Sequence, residues 1–253
     1  MAHRNEIIAF LDDFLSVARI RDASVNGLQV IGKDAVHTVA LGVSASLELF
    51  ERAVAEGADM LIVHHGLYWA NTPRQIDWLT KRRLKALFDS DLTLLAYHLP
   101  LDAHPEVGNN AQILKALRLV REETPFGWHD GTAVGAIGRL PSPMSLAAFV
   151  KMVAQELSVD VDYLPYGPEE VSRVAVMSGG APGDVQEAIE KGCDVYLTGE
   201  IREGSPAQAK EGHINYVGAG HYNTEKLGVI ALGQLLVDRF GVSTTFIDIP
   251  NKY

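Results

Sequence analysis

Short apolar runs alternate with amphipathic segments along most of this chain, an alternation typical of an α/β protein with a largely parallel sheet. Apolar residues at helical spacing predict helices at about 5–19, 46–56, 75–89, from 109, 145–157 and 224–240. Short apolar runs predict strands at about 26–30, 37–43, 60–63, 92–97, 160–164 and from 174. The predicted strands and helices therefore follow one another as repeated βα units.

Polar residues end several of these apolar runs. Histidines end three of them, namely His64 with His65, His98, and His221. A carboxylate follows four residues after two of these histidines, Asp102 after His98 and Glu225 after His221. Imidazole and carboxylate groups are ligands of borderline divalent metals, and strand ends are where α/β folds bind ligands. The pattern predicts one metal centre built from both halves of the chain.

Each of these residues also has an ordinary structural interpretation. An adjacent pair such as His64-His65 is more often structural than a metal site. Glu225 lies at the start of a predicted helix, where the helix dipole favours a carboxylate. Asp102 falls in a predicted loop, where aspartate is common in turns. The recurrence of the same pattern in both halves favours the metal site.

The two halves of the chain resemble each other. Residues 53–65 and 188–200 share a helix end, a glycine, an aspartate, a hydrophobic strand and a final polar pair. This repeat aligns His64 with Gly199, His65 with Glu200, His98 with His221, and Asp102 with Glu225. An internal duplication predicts two similar α/β lobes that face each other across a cleft. We place the first lobe at 1–120, an α/β elaboration at 121–172, and the second lobe at 173–253.

Composition narrows the class of protein. The chain has 253 residues and a formal net charge of −10, with no basic stripe that would favour nucleic acid. It lacks an apolar stretch long enough to cross a membrane, and its first residues do not resemble a signal peptide. Cys193 is the only cysteine, and we expect it to be a buried small hydrophobe. We therefore expect a cytoplasmic protein that binds neither nucleic acid nor membrane.

Several segments resemble the NIF3-like family (NGG1p-interacting factor 3, also DUF34). The matching segments are 26–30 (Asn-Gly-Leu-Gln-Val), 62–66 (Ile-Val-His-His-Gly), 98–102 (His-Leu-Pro-Leu-Asp), 198–200 (Thr-Gly-Glu) and 220–225 (Gly-His-Tyr-Asn-Thr-Glu). They span nearly the whole chain. The resemblance implies two α/β lobes around a dinuclear metal centre, in a homohexamer. It also implies two divalent ions per chain, with the ligands His64, His65, Asp102, His221 and Glu225.

The repeat adds two residues to those that the resemblance implies. His98 aligns with the ligand His221, so we expect it beside the centre, where it supports a ligand or transfers a proton. Glu200 aligns with His65, and its carboxylate could orient a ligating imidazole. The alternative for each is a structural hydrogen bond. Gly179, Gly180 and Gly183 precede a helix, and a tight turn fits them better than an anion-binding loop.

The resemblance also bears on activity, because family members are labelled as resembling GTP cyclohydrolase 1 type 2. We expect a metal-dependent hydrolase that acts on a small molecule, such as a nucleotide or related heterocycle. The ligand types do not distinguish zinc, iron, manganese, cobalt and nickel. The alternative is a metal-binding, metal-handling or oligomeric interaction protein without catalytic activity.

Overall fold

The computed structural model describes residues 2–251 and divides the chain into two compact units. The first unit contains the residues up to Leu101 together with Gly228–Ile249. The second unit contains Asp102–Leu227 and the residues from Pro250. Each unit is built on its own mixed β-sheet.

The chain up to Asp102 contains six strands and four helices within its described residues. In order these are β1 (Ala2–His3), α1 (Arg4–Phe14), β2 (Gly27–Val30), β3 (Ala35–Val36), β4 (Thr38–Ser44), α2 (Leu47–Ala55), β5 (Met60–His65), α3 (Trp78–Asp89), β6 (Thr93–Ala96) and α4 (Leu99–Asp102).

The remainder of the chain continues the alternation. Its elements are α5 (Asn109–Ala116), β7 (Val120–Arg121), β8 (Trp128–His129), β9 (Thr132–Ala133), β10 (Ala136–Ser145), α6 (Leu146–Leu157), β11 (Asp162–Pro165), β12 (Glu170–Met177), α7 (Val185–Glu190), β13 (Val195–Thr198), α8 (Ser205–Glu211), β14 (Asn215–Gly218), α9 (His221–Phe240) and β15 (Ser243–Phe246). Helix α9 begins in the second unit and ends in the first, to which β15 also belongs.

The sheet of the first unit has the strand order β15-β4-β5-β6-β2. Strands β15, β4, β5 and β6 are parallel, and β2 is antiparallel to β6. Phe50 from α2 and Leu87 from α3 pack against Leu61 and Leu94 of β5 and β6 in a buried apolar cluster. Nearly all residues of β5 and β6 are buried, as expected for strands in a covered parallel sheet.

The sheet of the second unit has the order β11-β14-β13-β12-β10-β7. Strands β12, β13 and β14 are parallel, while β11 and β10 pair antiparallel on either side of them. Residues 121–172 therefore contribute β10 and β11 to this sheet, and helix α6 packs on it through Phe149 and Val153. Both sheets thus contain three successive parallel strands with an antiparallel strand beside the third.

One aspartate fixes the start of the parallel strands in each sheet. Asp59 accepts hydrogen bonds from the backbone amides of residues 37–38, at 2.9 and 3.2 Å. Asp194 accepts them from the amides of residues 172–173, both at 2.8 Å. In each case the carboxylate links the turn before one strand to the beginning of the neighbouring strand. The same hydrogen-bonding arrangement therefore occurs in both units.

Sheet register refines the alignment that the sequence predicts. Met60 lies beside Thr93 in the first sheet, and Val195 lies beside Asn215 in the second. Counting from these pairs, the counterpart of His98 is the residue before His221. The two histidines follow corresponding strands, but with an offset of one residue that the sequence alignment did not contain.

The predicted elements occur in the structure, with several differences in their bounds. Helix α3 begins at Trp78 instead of 75, and strand β12 begins at Glu170 instead of 174. The first helix ends at Phe14 instead of 19, because Ser16 adopts a left-handed conformation (φ 54°). The segment around Asp102, predicted to be a loop, contains the short helix α4. The last helix begins at His221, three residues earlier than predicted, so His221 lies within its first turn.

Serine hydroxyls cap two of the helices. The hydroxyls of Ser46 and Ser145 accept hydrogen bonds from the backbone amides of Leu49 and Ala148 and so cap α2 and α6. Cys193 is buried, and burial raises the pKa of its thiol to about 11. Among the described residues, none of the helices has the length and apolar character needed to traverse a bilayer.

Candidate functional site

Strand β5 ends in two histidines, and the first is completely buried. The Nδ1 atom of His64 lies 2.9 Å from the backbone carbonyl oxygen of Tyr97. A carbonyl oxygen can only accept, so Nδ1 carries the proton and Nε2 becomes the atom with which this ring can bind a metal. The phenolic hydroxyl of Tyr97 donates in turn to Asp12 at 2.9 Å, which anchors the residue whose carbonyl holds His64.

The second histidine of β5 is supported by the neighbouring strand. The Nδ1 atom of His65 lies 3.0 Å from the hydroxyl oxygen of Ser44. The two residues are direct partners in the parallel register of β4 and β5. Strand pairing therefore determines the position of the hydroxyl that orients this ring.

A third histidine, His98, follows β6, the next parallel strand. Its Nδ1 atom lies 2.9 and 3.1 Å from the two carboxylate oxygens of Asp22. Its backbone amide donates to the side-chain oxygen of Asn26 at 2.7 Å. Burial raises the pKa of Asp22, but the hydrogen bond and charge of His98, with bonds from Asn26 and Ser24, outweigh burial and lower it to about 2.

The three imidazoles of the first unit form one cluster. The ring centres are 4.7 Å apart for His64 and His65, 5.0 Å for His64 and His98, and 5.6 Å for His65 and His98. One nitrogen from each ring lies within 4.8 Å of the others. Three imidazoles with externally supported Nδ1 atoms form a donor set that fits a borderline divalent metal.

The second unit brings three other predicted residues together. In the first turn of α9, His221 Nε2 lies 3.1 Å from Glu225 Oε1, and the Glu225 side chain is buried. His221 Nδ1 lies 2.6 Å from Glu200 Oε1, after β13. Burial lowers the pKa of His221, but the hydrogen bonds and charges of Glu225 and Glu200 outweigh it and raise the pKa to about 9. A metal ion would have to compete with a proton for this ring.

Asp102 lies elsewhere in the second unit, at the end of α4, and is also buried. Its Oδ1 atom accepts hydrogen bonds from Asn109 at 2.7 Å and from the hydroxyl of Ser178 at 3.0 Å. Ser178 directly precedes Gly179, which lies against the side chains of His221 and Glu225. Asp102 is therefore connected through one residue to the part of this unit where His221 and Glu225 lie.

Gly179 makes the close packing around His221 possible. Its φ is +69°, and a Cβ atom built there would overlap the Glu225 carboxylate and lie 3.2 Å from His221 Nε2. The backbone amide of Gly179 also donates a hydrogen bond to the Thr224 hydroxyl oxygen at 2.9 Å. This glycine belongs to the tight turn that the sequence predicts, and its second role, close approach to the carboxylate, has no sequence signal.

Beside Glu200 the second unit contains a cavity of about 790 Å³. Its lining includes Gly199, Gly218, Asn223 and two exposed acidic residues, Asp160 and Asp162. This volume is in the range of pockets that bind small molecules.

Sequence reasoning missed the groups that orient the imidazoles. Asp22 lies in an irregular segment 76 residues before His98, and no spacing pattern connects the two. The contact between Ser44 and His65 could have been predicted from sequence. Parallel pairing of β4 with β5 places a residue at the end of one strand beside the end of the other. The contact with the backbone carbonyl of Tyr97 could not be predicted, because every residue has a backbone carbonyl and no sequence pattern marks this one.

Comparison with known proteins gives consistent matches over the full chain. The family model described as Duf34/NIF3 (NGG1p interacting factor 3) matches residues 2–252. A protein named GTP cyclohydrolase 1 type 2 homolog from Pyrococcus abyssi is 45% identical over 248 residues, which is 98% of each chain. A protein of the same name from Pseudomonas aeruginosa is 41% identical over 240 residues, covering 95% of this chain and 94% of that one.

Solved structures show the same fold. A structure of protein ybgI, described as of unknown function, superposes with a TM-score of 0.94 at 35% identity and covers all of both chains. The structure of TTHA1606 from Thermus thermophilus gives a TM-score of 0.90 at 36% identity, also with full coverage.

Proposed function

This chain belongs to the DUF34/NIF3 family, and from that premise we propose that it is a metal-dependent hydrolase with a dinuclear centre. The proposed ligands of its two divalent ions are His64, His65, Asp102, His221 and Glu225. The substrate is a small heterocycle such as a guanine nucleotide.

The observation that carries this proposal is the support given to the imidazoles. Nδ1 of His64 faces a carbonyl oxygen, and Nδ1 of His65 faces a hydroxyl oxygen. Such partners fix the tautomer and orientation of metal-binding histidines in proteins. A structural histidine pair would not require both rings to present a ligand nitrogen to the same place.

The parallel organisation of the two sheets supports a second part of the proposal. We infer that the units arose by duplication and that each supplies ligands from the ends of its parallel strands to one cleft. The matched roles of Asp59 and Asp194 support this inference, because each aspartate accepts backbone amide hydrogen bonds at the corresponding point of its own sheet.

The chain's own residues would divide the work of hydrolysis as follows. Bound divalent ions would supply the acidity that activates water and polarises a substrate oxygen. Glu200 would orient His221 through Nδ1, so that Nε2 and the Glu225 carboxylate present their ligand atoms together. The cavity beside Glu200 would bind the body of the substrate.

The substrate class follows from the size of that cavity and from the family relatives. Curated relatives carry the name GTP cyclohydrolase 1 type 2 homolog. The carboxylates of Asp160 and Asp162 at the cavity fit a ligand that offers N–H donors, as the guanine edge does. We therefore place guanine nucleotides first among the substrates to be tested.

The test is a hydrolysis screen on protein stripped with a chelator and reloaded separately with zinc, iron(II), manganese, cobalt or nickel. We expect loss of the purine absorbance of GTP with at least one metal, and no change with stripped protein or with Glu225→Gln. Stoichiometric metal binding without turnover of GTP or any member of a nucleoside and heterocycle library would contradict the hydrolase and favour the metal-binding alternative.

A further inference from the structure

We propose that Trp69 is the residue on which the heterocyclic ring of the substrate stacks, beside the histidines of the first unit. This inference rests on the proposed function, because it takes the substrate to be a planar heterocycle. It deepens that function by naming a residue that contacts the face of the ring. Neither the sequence pattern nor the family resemblance points to Trp69.

The indole of Trp69 lies against two of the histidines at the strand ends. Its ring centre is 5.0 Å from that of His98, with the two planes inclined by 72°. It is 6.0 Å from the ring centre of His65, with an inclination of 43°. All three residues belong to the first unit, and Trp69 lies in the loop that follows β5. A large aromatic surface therefore borders a residue that is proposed to bind a metal ion.

The polar atom of this indole is engaged within its own loop. Nε1 of Trp69 donates to the backbone carbonyl oxygen of Gly66 at 3.2 Å. An indole has one donor and no acceptor, so this bond leaves the apolar ring surface as what the side chain can offer a ligand. Trp69 is only partly buried. Its chemistry is therefore that of stacking, which favours a flat ring over a flexible polar chain.

Gln29 of β2 fixes the loop that carries Trp69. Its Oε1 atom accepts a hydrogen bond from the amide of Leu67 at 2.7 Å, and its Nε2 atom donates to the carbonyl oxygen of Val25 at 2.7 Å. Gly66 permits this arrangement, because a Cβ atom built there would overlap the side-chain amide of Gln29. One side chain thus joins the loop after β5 to the segment before β2.

Backbone hydrogen bonds hold the same loop on both sides of Trp69. The amide of Val25 donates to the carbonyl oxygen of Tyr68 at 3.0 Å. The amide of Ala70 donates to the carbonyl oxygen of Ala23 at 2.6 Å. Immobilising a side chain or loop on binding costs affinity, so a platform that is already fixed binds a ring more tightly than a mobile one.

The other two tryptophans of the chain lack this setting. Trp78 is 70% exposed at the start of α3, and Trp128 is 54% exposed in β8. Within the residues that the structure describes, neither makes a ring contact with a histidine. Trp78 belongs to the same unit as Trp69 and is therefore its matched control.

Guanosine binding by the zinc-loaded full chain tests the proposal. Wild type, Trp69→Leu, Trp69→Phe and the control Trp78→Leu would be compared by equilibrium dialysis, with ribose 5-phosphate as a probe that lacks the ring. We expect Trp69→Leu to weaken guanosine binding about 5–150-fold, which corresponds to the 1–3 kcal/mol of one stacked base. Trp69→Phe keeps an aromatic face and should lose less than about 5-fold. Both variants should bind zinc and ribose 5-phosphate as Trp78→Leu does.

Indole fluorescence gives a second readout that does not depend on how a variant of Trp69 folds. Guanosine should quench the fluorescence of wild type and of Trp78→Leu, because a stacked base contacts the emitting ring. Unquenched fluorescence with guanosine bound, or equal guanosine affinity in Trp69→Leu and Trp78→Leu, would overturn the stacking role and leave the proposed hydrolase intact. Loss of zinc together with guanosine in Trp69→Leu would also overturn it, since Trp69 would then act by packing the imidazoles.

The same measurements separate this proposal from the proposed function. Guanosine binding that depends on Trp69, without turnover of GTP or of any compound in the library, would support the stacking role and contradict the hydrolase. Turnover of GTP that is unchanged in Trp69→Leu would support the hydrolase and contradict the stacking role. A zinc-loaded wild type that binds no member of the nucleoside and heterocycle library would overturn both.

Discussion

Three chemically different groups hold the Nδ1 atoms of the three clustered imidazoles: a carbonyl, a hydroxyl and a carboxylate. The carbonyl and the carboxylate fix the proton on Nδ1, whereas the hydroxyl of Ser44 can donate or accept. Of the three rings, His65 alone is therefore paired with a group that allows either tautomer.

Gly179 offers a sharp test of the packing around His221. We expect Gly179→Ala to displace the Glu225 carboxylate, because the new methyl group would occupy its place. The positive φ adds strain of about 1–3 kcal/mol. Metal affinity of the stripped protein should fall while the circular dichroism spectrum is retained. Gly183→Ala is the matched control, since a Cβ atom added at that position would have nothing within 4 Å of it. Equal affinities in the two variants would contradict a role for Glu225 in binding.

Substitution of the two glutamates beside His221 should reduce metal binding to different extents. Glu225→Gln should lose metal more severely than Glu200→Gln, because Glu225 is proposed to bind the ion and Glu200 to orient the ring. Loss of an orienting group costs about 10–100-fold in affinity or activity. Elemental analysis after chelator-free purification compares the two variants, and identical metal content would refute the division of roles.

At the scale of elements, the aspartates that begin the parallel strands should stabilise each unit. Asp59→Ala leaves two backbone amides without their carboxylate and should destabilise the protein by about 1.5–3 kcal/mol at neutral pH. Asp194→Ala removes the matching contacts of the second sheet and should have a similar effect. Urea unfolding followed by circular dichroism measures both changes. A loss below about 0.5 kcal/mol in either variant would show that the contact does not hold that sheet.

The contribution of Asp59 should also depend on pH in a defined direction. Burial raises its pKa, but the amide hydrogen bonds and Lys33 outweigh burial and lower it below the usual value. A lowered folded-state pKa gives stability that is present above the unfolded value of about 3.9 and is lost as pH falls through the folded value. The difference between wild type and Asp59→Ala should therefore shrink when unfolding is measured at progressively lower pH below about 4. A constant difference down to about pH 2 would contradict this assignment.

Some parts of the fold could be predicted from the sequence and others could not. Parallel β5 and β6 end side by side, so the gathering of His64, His65 and His98 follows from hydrophobic pattern alone. The end of α1 and the start of α9 were harder to predict from sequence. They depend on the positive φ of Ser16 and on where the loop after β14 turns. Asp22 could not be predicted, since an irregular segment distant in sequence delivers it to His98.

At the scale of the whole molecule, the proposed centre requires two divalent ions per chain. Elemental analysis of protein purified without chelator should give a molar ratio near two. Removal of either His64 or Glu225 by alanine substitution should lower that ratio, because the two residues belong to different proposed ligand groups of the chain. A ratio that stays near two in both variants would contradict the proposed ligand set.

Family membership also leads us to expect a homohexamer. Light scattering coupled to gel filtration should give six times the mass of one chain across a range of concentrations. A monomer throughout that range would refute the expectation, whereas the proposed ligand residues would remain testable in the monomer.

The placement of β15 has a consequence for how the protein is made. This strand pairs in parallel with β4, from which nearly the whole second unit separates it along the chain. A ribosome releases β4 long before β15, so the first sheet waits with one edge unpaired while the continuous segment Asp102–Leu227 can already fold. The unit whose synthesis begins first is therefore completed after the other, and a nascent chain stalled before Ser243 would expose the hydrogen-bonding edge of β4.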